Sequence, residues 1–440
     1  MNRYESYKDS GIPWLGEVPA HWEVKRLRFT VNLNPVKSEL DIPEDTLVSF
    51  IPMEAVNFDK NLTLTEERNL DEVYKGYTYF KNGDVVLAKI TPCFENGKSA
   101  IAQNLTNGVA FGTTELHVLR SQNSINNHFL YYLIKSDSFM KIGESEMYGA
   151  GGQKRIPEEF IKNFFIGLPP YYEQTAIAHY LDTKLCEIDA LIDKQQTLLE
   201  KLAEQRTAVI THAVTKGLNP AAPMKNSSVE WLGDVPAHWQ LINLKFLCRV
   251  KGGYAFSSDN FSDEGIPVIR ISDILFDGTV DNINCKRIPL ELAPNQKDFE
   301  LRNGQLVMAM TGATIGKISK YCSEDYAYIN QRVGKFEAFN SRLNYAFLYH
   351  LLNTSGYQEH IKLTAFGGAQ PNISDSEMVN YQMVLPTMEE QAHIADYLDK
   401  ETAKIDRLCD TVNQTIDRLK EYRIALITQA VTGKVKVTNE

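Results

Sequence analysis

Apolar residues recur at seven-residue steps in two long stretches of the chain. In the later stretch, stepping by seven from Gln391 reaches Leu398, Ile405, Val412, Leu419 and Leu426, and a second apolar row adds Ile394 and Leu408. The earlier stretch carries Ile177, Leu181, Ile188, Leu202 and Val209; subtracting 217 from the later set lands on these, with Gln195 in the place of Val412. A heptad row held this long describes a seam against another helix, so each stretch is predicted to be a coiled-coil arm, and the two arms most simply pack on each other. The first, at ~42 residues, would run about 63 Å at 1.5 Å per residue. Pro169, Pro170 and Pro386 stand just before the two starts, and Glu173-Gln174 and Glu390-Gln391 open the helices. Lys216-Gly217 followed by Asn219-Pro220, and Thr432-Gly433-Lys434, read as their stops.

The same offset governs the rest of the chain. Trp14-Leu15-Gly16-Glu17-Val18-Pro19-Ala20-His21-Trp22 returns as Trp231-Leu232-Gly233-Asp234-Val235-Pro236-Ala237-His238-Trp239. Short β-branched runs follow, at Val48 to Pro52 and Ile266 to Ile271, then Asn82-Gly83 and Asn303-Gly304 turns feeding apolar strands. Further strands are predicted through Glu115 to Leu119 and Tyr328 to Val333, and a short helix through Phe129 and Leu133, matched by Phe347 and Leu351. A glycine-rich loop comes last, residues 149–156 and 366–373, before the strand that delivers the chain to its arm. The chain is therefore a tandem duplication of one globular domain plus one long helix, of α+β class with mixed α/β domains. The divisions expected are 1–170, 171–216, 217–228, 229–386, 387–433 and 434–440. Asp41 to Tyr77 and Asp259 to Phe299 share little, which separates a common framework from a variable face; the plain alternative is drift after duplication.

Composition narrows the classes. At 440 residues there is room for two or three cores, and no apolar run approaches ~18 residues, so no membrane span is expected. The amino terminus is polar where a signal peptide needs an apolar core, and the six cysteines form no C-x-x-C pair; both point to a reducing, cytoplasmic setting. A net charge of −10 argues mildly against non-specific coating of nucleic acid without excluding recognition by local loops.

Several catalytic look-alikes fail on chemistry. Gly312-Ala313-Thr314-Ile315-Gly316-Lys317-Ile318 has three residues between its glycines and no hydroxyl after the lysine, unlike a phosphate loop. Leu168-Pro169-Pro170-Tyr171 has leucine where an amino-methyltransferase tetrapeptide needs Asp or Asn. Asp9, Glu23 and Lys25 imitate a nuclease triad, but the second copy has Asn226, Gln240 and Ile242. His21 and His238, beside Trp, read as packed histidines, and no histidine pair has metal spacing. No catalytic, cofactor or metal site is expected in this chain.

Gly-x-Val-Pro-x-His-Trp at 16–22 and 233–239, with Leu168-Pro169 leading to Glu173-Gln174 and Leu385-Pro386 leading to Glu390-Gln391, resembles the specificity subunits of type I restriction-modification systems. That resemblance covers nearly the whole chain. It implies two target-recognition domains held apart by an antiparallel coiled coil with pseudo-two-fold symmetry, and a non-catalytic subunit that reads a bipartite, asymmetric double-stranded DNA target. It further implies two methyltransferase subunits that methylate adenine N6, and restriction subunits. S-adenosylmethionine, ATP and Mg are then expected on the partners rather than on this chain. A tandem coiled-coil scaffold that assembles other proteins without reading DNA is the competing reading.

Major-groove readout favours Arg or Lys on guanine and Asn or Gln on adenine. In the first domain the candidates are Gln153, Lys154 and Arg155 on the glycine-rich loop, with Lys89, Asn96 and Lys98 nearby. In the second they are Gln370 and Asn372 on the loop, with Lys317, Asn330, Gln331 and Arg332 on adjacent loops and strands.

Overall fold

The computed structural model describes residues 3–57, 60–275, 277–293, 297–339, 341–367 and 371–437. Two helices dominate it, Tyr171–Lys216 and Met388–Val431, here called the first and second arms. By contacts the chain divides into one unit of residues 1–195 with 413–440 and another of 196–412. Each unit therefore holds one globular domain, the start of one arm and the end of the other. No helix among the described residues is long and apolar enough to cross a membrane.

In the first unit, the strand Val85–Ala88 shows how the core is laid down. All four residues are buried, and they alternate in facing: Val85 and Leu87 join Phe129, Leu130 and Leu133 of a short helix, whereas Val86 and Ala88 join Phe80 and Ala110 of a second sheet. A strand covered on both faces needs apolar residues throughout. It lies in an antiparallel sheet ordered Val31–Leu33, Leu116–Ser121, Val85–Ala88, Ser99–Ile101. The second sheet runs Glu67–Asn69, Leu47–Ile51, Val109–Gly112, Thr78–Lys81, with its middle pair parallel. Glu23–Arg26 pairs separately with Phe165–Leu168, the strand that feeds the arm.

The second unit repeats this topology. Its sheets run Cys248–Gly252, Val333–Ala338, Leu306–Ala309, Ile318–Lys320 and Lys286–Ile288, Ile266–Ile269, Ala327–Ile329, Glu300–Leu301, again with a parallel middle pair in the latter. The regions that share little sequence thus build the same sheet. One strand expected through Tyr328 to Val333 is instead two, with Asn330, Gln331 and Arg332 in the turn between them.

The repeated sequence tags are joined in space. Glu173 accepts from the Trp22 indole at 3.2 Å and bonds His21 at 2.8 Å; Glu390 does the same with Trp239 at 3.1 Å and His238 at 2.7 Å. Gln174 donates to the carbonyls of Pro169 and Ser124 and accepts from the Asn126 backbone N–H; Gln391 makes the equivalent bonds to Pro386, Arg342 and Asn344. Both glutamines are fully buried, so each satisfies polar groups at the arm start and at the cap of the short helix at once. The two histidines, half-exposed, therefore serve as ligands of a carboxylate.

The far end of each arm also docks on an opening motif. Lys216 donates to the carbonyls of Leu232 and Asp234, and Lys434 to those of Leu15 and Glu17. Gly433 is obligatory here: its φ is +72°, and an added Cβ would lie 2.4 Å from Pro19 Cδ.

Where the arms meet inside the first unit, Ile177, Leu181 and Ile188 share a core with Leu426, Ala430 and Val431, and Asp189 pairs with Arg423 at 3.0 Å. Inside the second unit, Ile394 and Leu398 join Ile210, Ala213 and Val214, and Asp406 pairs with Arg206 at 3.2 Å. The start of one arm thus lies along the end of the other, in antiparallel sense. Leu202, Ile405 and Val412 are buried, and Val209 and Leu419 partly so. Leu408 differs from expectation at 53% exposed. Cys409, four residues beyond Ile405 rather than three, turns inward instead.

Burial works to raise the Glu390 carboxyl, but bonds from His238, Trp239 and Thr387 overcome it and hold the group down at about 2. A depressed carboxylate contributes stability above its unfolded value, about 4.3, and that contribution is lost as pH falls towards the folded value. Glu390→Gln should therefore cost about 1 kcal/mol at pH 7, the figure being kept small by solvent screening of a partly exposed group. Urea midpoints of wild type and variant should converge between pH 4 and pH 2. A gap that stays constant with pH would assign the loss to packing instead.

Candidate nucleic-acid interface

The glycine-rich loop of the first domain and the segment just before Leu116 are fixed to the end of the strand Val85–Ala88 by three backbone bonds, two of them from the loop. Lys89 N–H donates to Glu115 O, Thr91 N–H to Lys154 O, and Ile156 N–H to Lys89 O. The second domain repeats them: Met310 to Arg332 O, Gly312 to Pro371 O, and Ile373 to Met310 O. Glu115 and Arg332 therefore hold one position of the frame, as do Arg155 and Asn372.

The side chains at those two positions pair, with opposite polarity in the two copies. In the first domain Glu115 accepts two bonds from the Arg155 guanidinium, both at 2.9 Å, and Arg155 draws its carboxyl below the usual carboxylate range. In the second, Arg332 donates to Asn372 Oδ1 at 3.4 Å. An arginine fork thus stands at the site in each copy, but on opposite sides of it. Around it, Lys89 and Lys154 in one domain become Met310 and Pro371 in the other. Bidentate donors and amide groups read different base edges, so one backbone presents two chemistries.

A buried histidine supports the first loop. His117 Nε2 lies 3.0 Å from Ile156 O, and Asn34 donates to Nδ1 at 3.2 Å. Burial lowers its pKa, so the neutral ring donates through Nε2 and accepts through Nδ1. Gly334 occupies its place in the second domain, where an added Cβ would meet Val250 at 2.7 Å.

The sequence candidates are grouped only in part. Lys89, Lys154 and Arg155 come together, Gln153 and Lys154 are exposed, and Arg332 meets Asn372. Asn96 is exposed on the turn after Pro92, whereas Lys98 donates to Met53 O, towards the second sheet. Lys317 lines a cleft of about 240 Å³ with Arg206 of the first arm, Tyr349 and Gln358, and burial lowers its pKa. The Asn330 and Gln331 N–H groups bond the carbonyls of Ile269 and Tyr254, which fix the turn that presents Arg332. Gln370 lies outside the described residues. The partner of Arg155, Glu115, was not among the candidates, and neither were Tyr148 and Phe366, exposed aromatic residues at the start of the two loops. Their signal was available: an aromatic stands immediately before a glycine in both copies.

A family model described as the type I restriction modification DNA specificity domain matches residues 20–201 and 236–436, once for each repeat. The chain belongs to this family. Among its relatives, the type I restriction enzyme EcoAI specificity subunit of Escherichia coli is 27% identical, over 90% of this chain and 79% of the relative. The MjaVIII specificity subunit of Methanocaldococcus jannaschii is 23% identical, over 96% and 95%. The fold matches a chain from work on complex assembly and conformational transition of the type I R-M system, at TM-score 0.76 and 17% identity over 95% of this chain and 99% of that one. It also matches the HsdS subunit of Thermoanaerobacter tengcongensis, at TM-score 0.57 and 19% identity over 95% and 98%. As a specificity subunit, the chain supplies sequence choice to a restriction-modification complex.

For this specificity subunit, Arg155→Ala should weaken affinity for the first half-site alone by roughly tenfold and relax one base position, and Arg332→Ala should do so for the second, since a bidentate contact carries about 1–3 kcal/mol. Selection of bound duplexes from a randomised pool checks both. Equal relaxation of both halves by either variant would contradict the assignment.

Proposed function

We propose that the chain reads a bipartite, asymmetric target in double-stranded DNA, one half-site per domain, and docks two methyltransferase subunits that modify adenine N6 in each half. The observation that carries this reading is the pair of equivalent positions filled by Glu115 and Arg155 in one domain and by Arg332 and Asn372 in the other. Identical frames fit a common partner twice, while unequal readers fit two different half-sites. Restriction subunits complete the complex. The chain itself contributes no catalytic group; S-adenosylmethionine, ATP and Mg belong to the partners, and the assembly works in the cytoplasm. Two readers on one face of a duplex meet half-sites about a helical turn apart, ~34 Å.

Co-expression with the methyltransferase encoded beside it, in a host lacking adenine-N6 methylation, tests this reading. Genome-wide mapping of N6-methyladenine should return one split asymmetric motif that appears only when this chain is present. A partner that copurifies without any motif would make the chain an assembly scaffold. Failure to form a complex would remove the docking role.

A further inference from the structure

Tyr148 and Phe366 occupy one place in the two domains, immediately before Gly149 and Gly367. Tyr148 exchanges both backbone hydrogen bonds with Arg155, at 3.2 and 2.9 Å, and Phe366 does so with Asn372, at 2.9 and 2.7 Å. Residues directly opposite in an antiparallel bridge send their side chains to the same face. Each ring therefore stands beside the group that pairs across the reading site. Both rings are largely bare, at 69% and 61% exposure. The loop also holds them in place: Gly149 has φ +153°, and a Cβ there would lie 2.2 Å from Gln153 O, so the turn after Tyr148 admits no side chain.

A single exposed aromatic on a protein surface is ordinary. Two at the same frame position, each bridged to a candidate base reader on a loop whose polar residues differ between the copies, call for a common occupant. The adjoining donors, Arg155 with Lys154 in one copy and Arg332 with Asn372 in the other, are suited to DNA. We propose that Tyr148 and Phe366 are DNA-contacting residues whose rings pack on a base within their own half-sites. The Tyr148 hydroxyl adds a polar contact that Phe366 lacks. This rests on the reading of the chain as a DNA-specificity subunit. Within a duplex the base faces are covered by their neighbours, so each ring meets a base edge, best where a thymine presents its methyl group, and anchors the half-site while the neighbouring polar groups choose the base.

The test uses the full chain in complex with its methyltransferase partner and a duplex motif selected from a randomised pool. Tyr148→Ala and Phe366→Ala should each lower affinity roughly tenfold through one half-site only. Tyr148→Leu, which keeps apolar bulk but not the ring, should lose less than Tyr148→Ala, and Tyr148→Phe least of the three. Because no phosphate contact is removed, the slope of log affinity against log salt should stay that of wild type, whereas Lys154→Ala should reduce it by about one. Unfolding midpoints should not move, since neither ring is buried. Unchanged affinity in both alanine variants, or a reduced salt slope in them, overturns the proposal while leaving the specificity reading intact. A wild-type complex that selects no motif overturns that reading, and this proposal with it.

Discussion

A buried glutamine at the start of each arm, next to a glutamate that holds a tryptophan and a histidine, joins the globular domain to the helix. Gln174 and Gln391 each close three hydrogen bonds in a site without solvent access, where an unmet group costs about 1–3 kcal/mol. Glu173 and Glu390 tie the opening motif to the same helical turn. Since Lys434 and Lys216 fasten the opposite arm's end to that motif, every domain is held at two points on helical structure. The orientation of the glycine-rich loop relative to the arm follows from these fixed joints.

Such a frame lets the loop face change without changing the scaffold. The strands Val85–Ala88 and Leu306–Ala309 are buried on both faces, so their sequences stay apolar in both copies. The loops beyond them share the same three backbone bonds, which ask nothing of the side chains that carry them. Side chains at Lys89, Glu115, Lys154 and Arg155 are thereby free to become Met310, Arg332, Pro371 and Asn372. Divergence concentrates where the fold asks for backbone geometry alone.

Much of the framework was legible because its signals are local and repeated. The heptad rows found the arms, although a seven-residue step does not say whether the third or fourth residue turns inward, and Leu408 was misplaced for that reason. The second sheets were harder to see: strands as short as Glu300–Leu301 carry no measurable period, so their shared topology was hidden beneath divergent sequence. The histidines were read as packed, whereas they are half-exposed and bonded to carboxylates that lie 152 residues away in each copy. At the loops, residue type suggested Arg155 and Arg332, whereas the pairing that distinguishes them depends on contacts no spacing encodes.

The central claim is that the joints and arms set the geometry of the target while the faces set its sequence. Replacing residues 248–380 by a second copy of residues 31–163, leaving the opening motifs and arms in place, tests it most directly by mapping N6-methyladenine before and after. Because the arms are antiparallel, the account predicts a palindromic motif, the first half-site followed by its inverted repeat, with an unchanged spacer. A motif that keeps the second half-site, or a spacer that changes with the replaced segment, would contradict it.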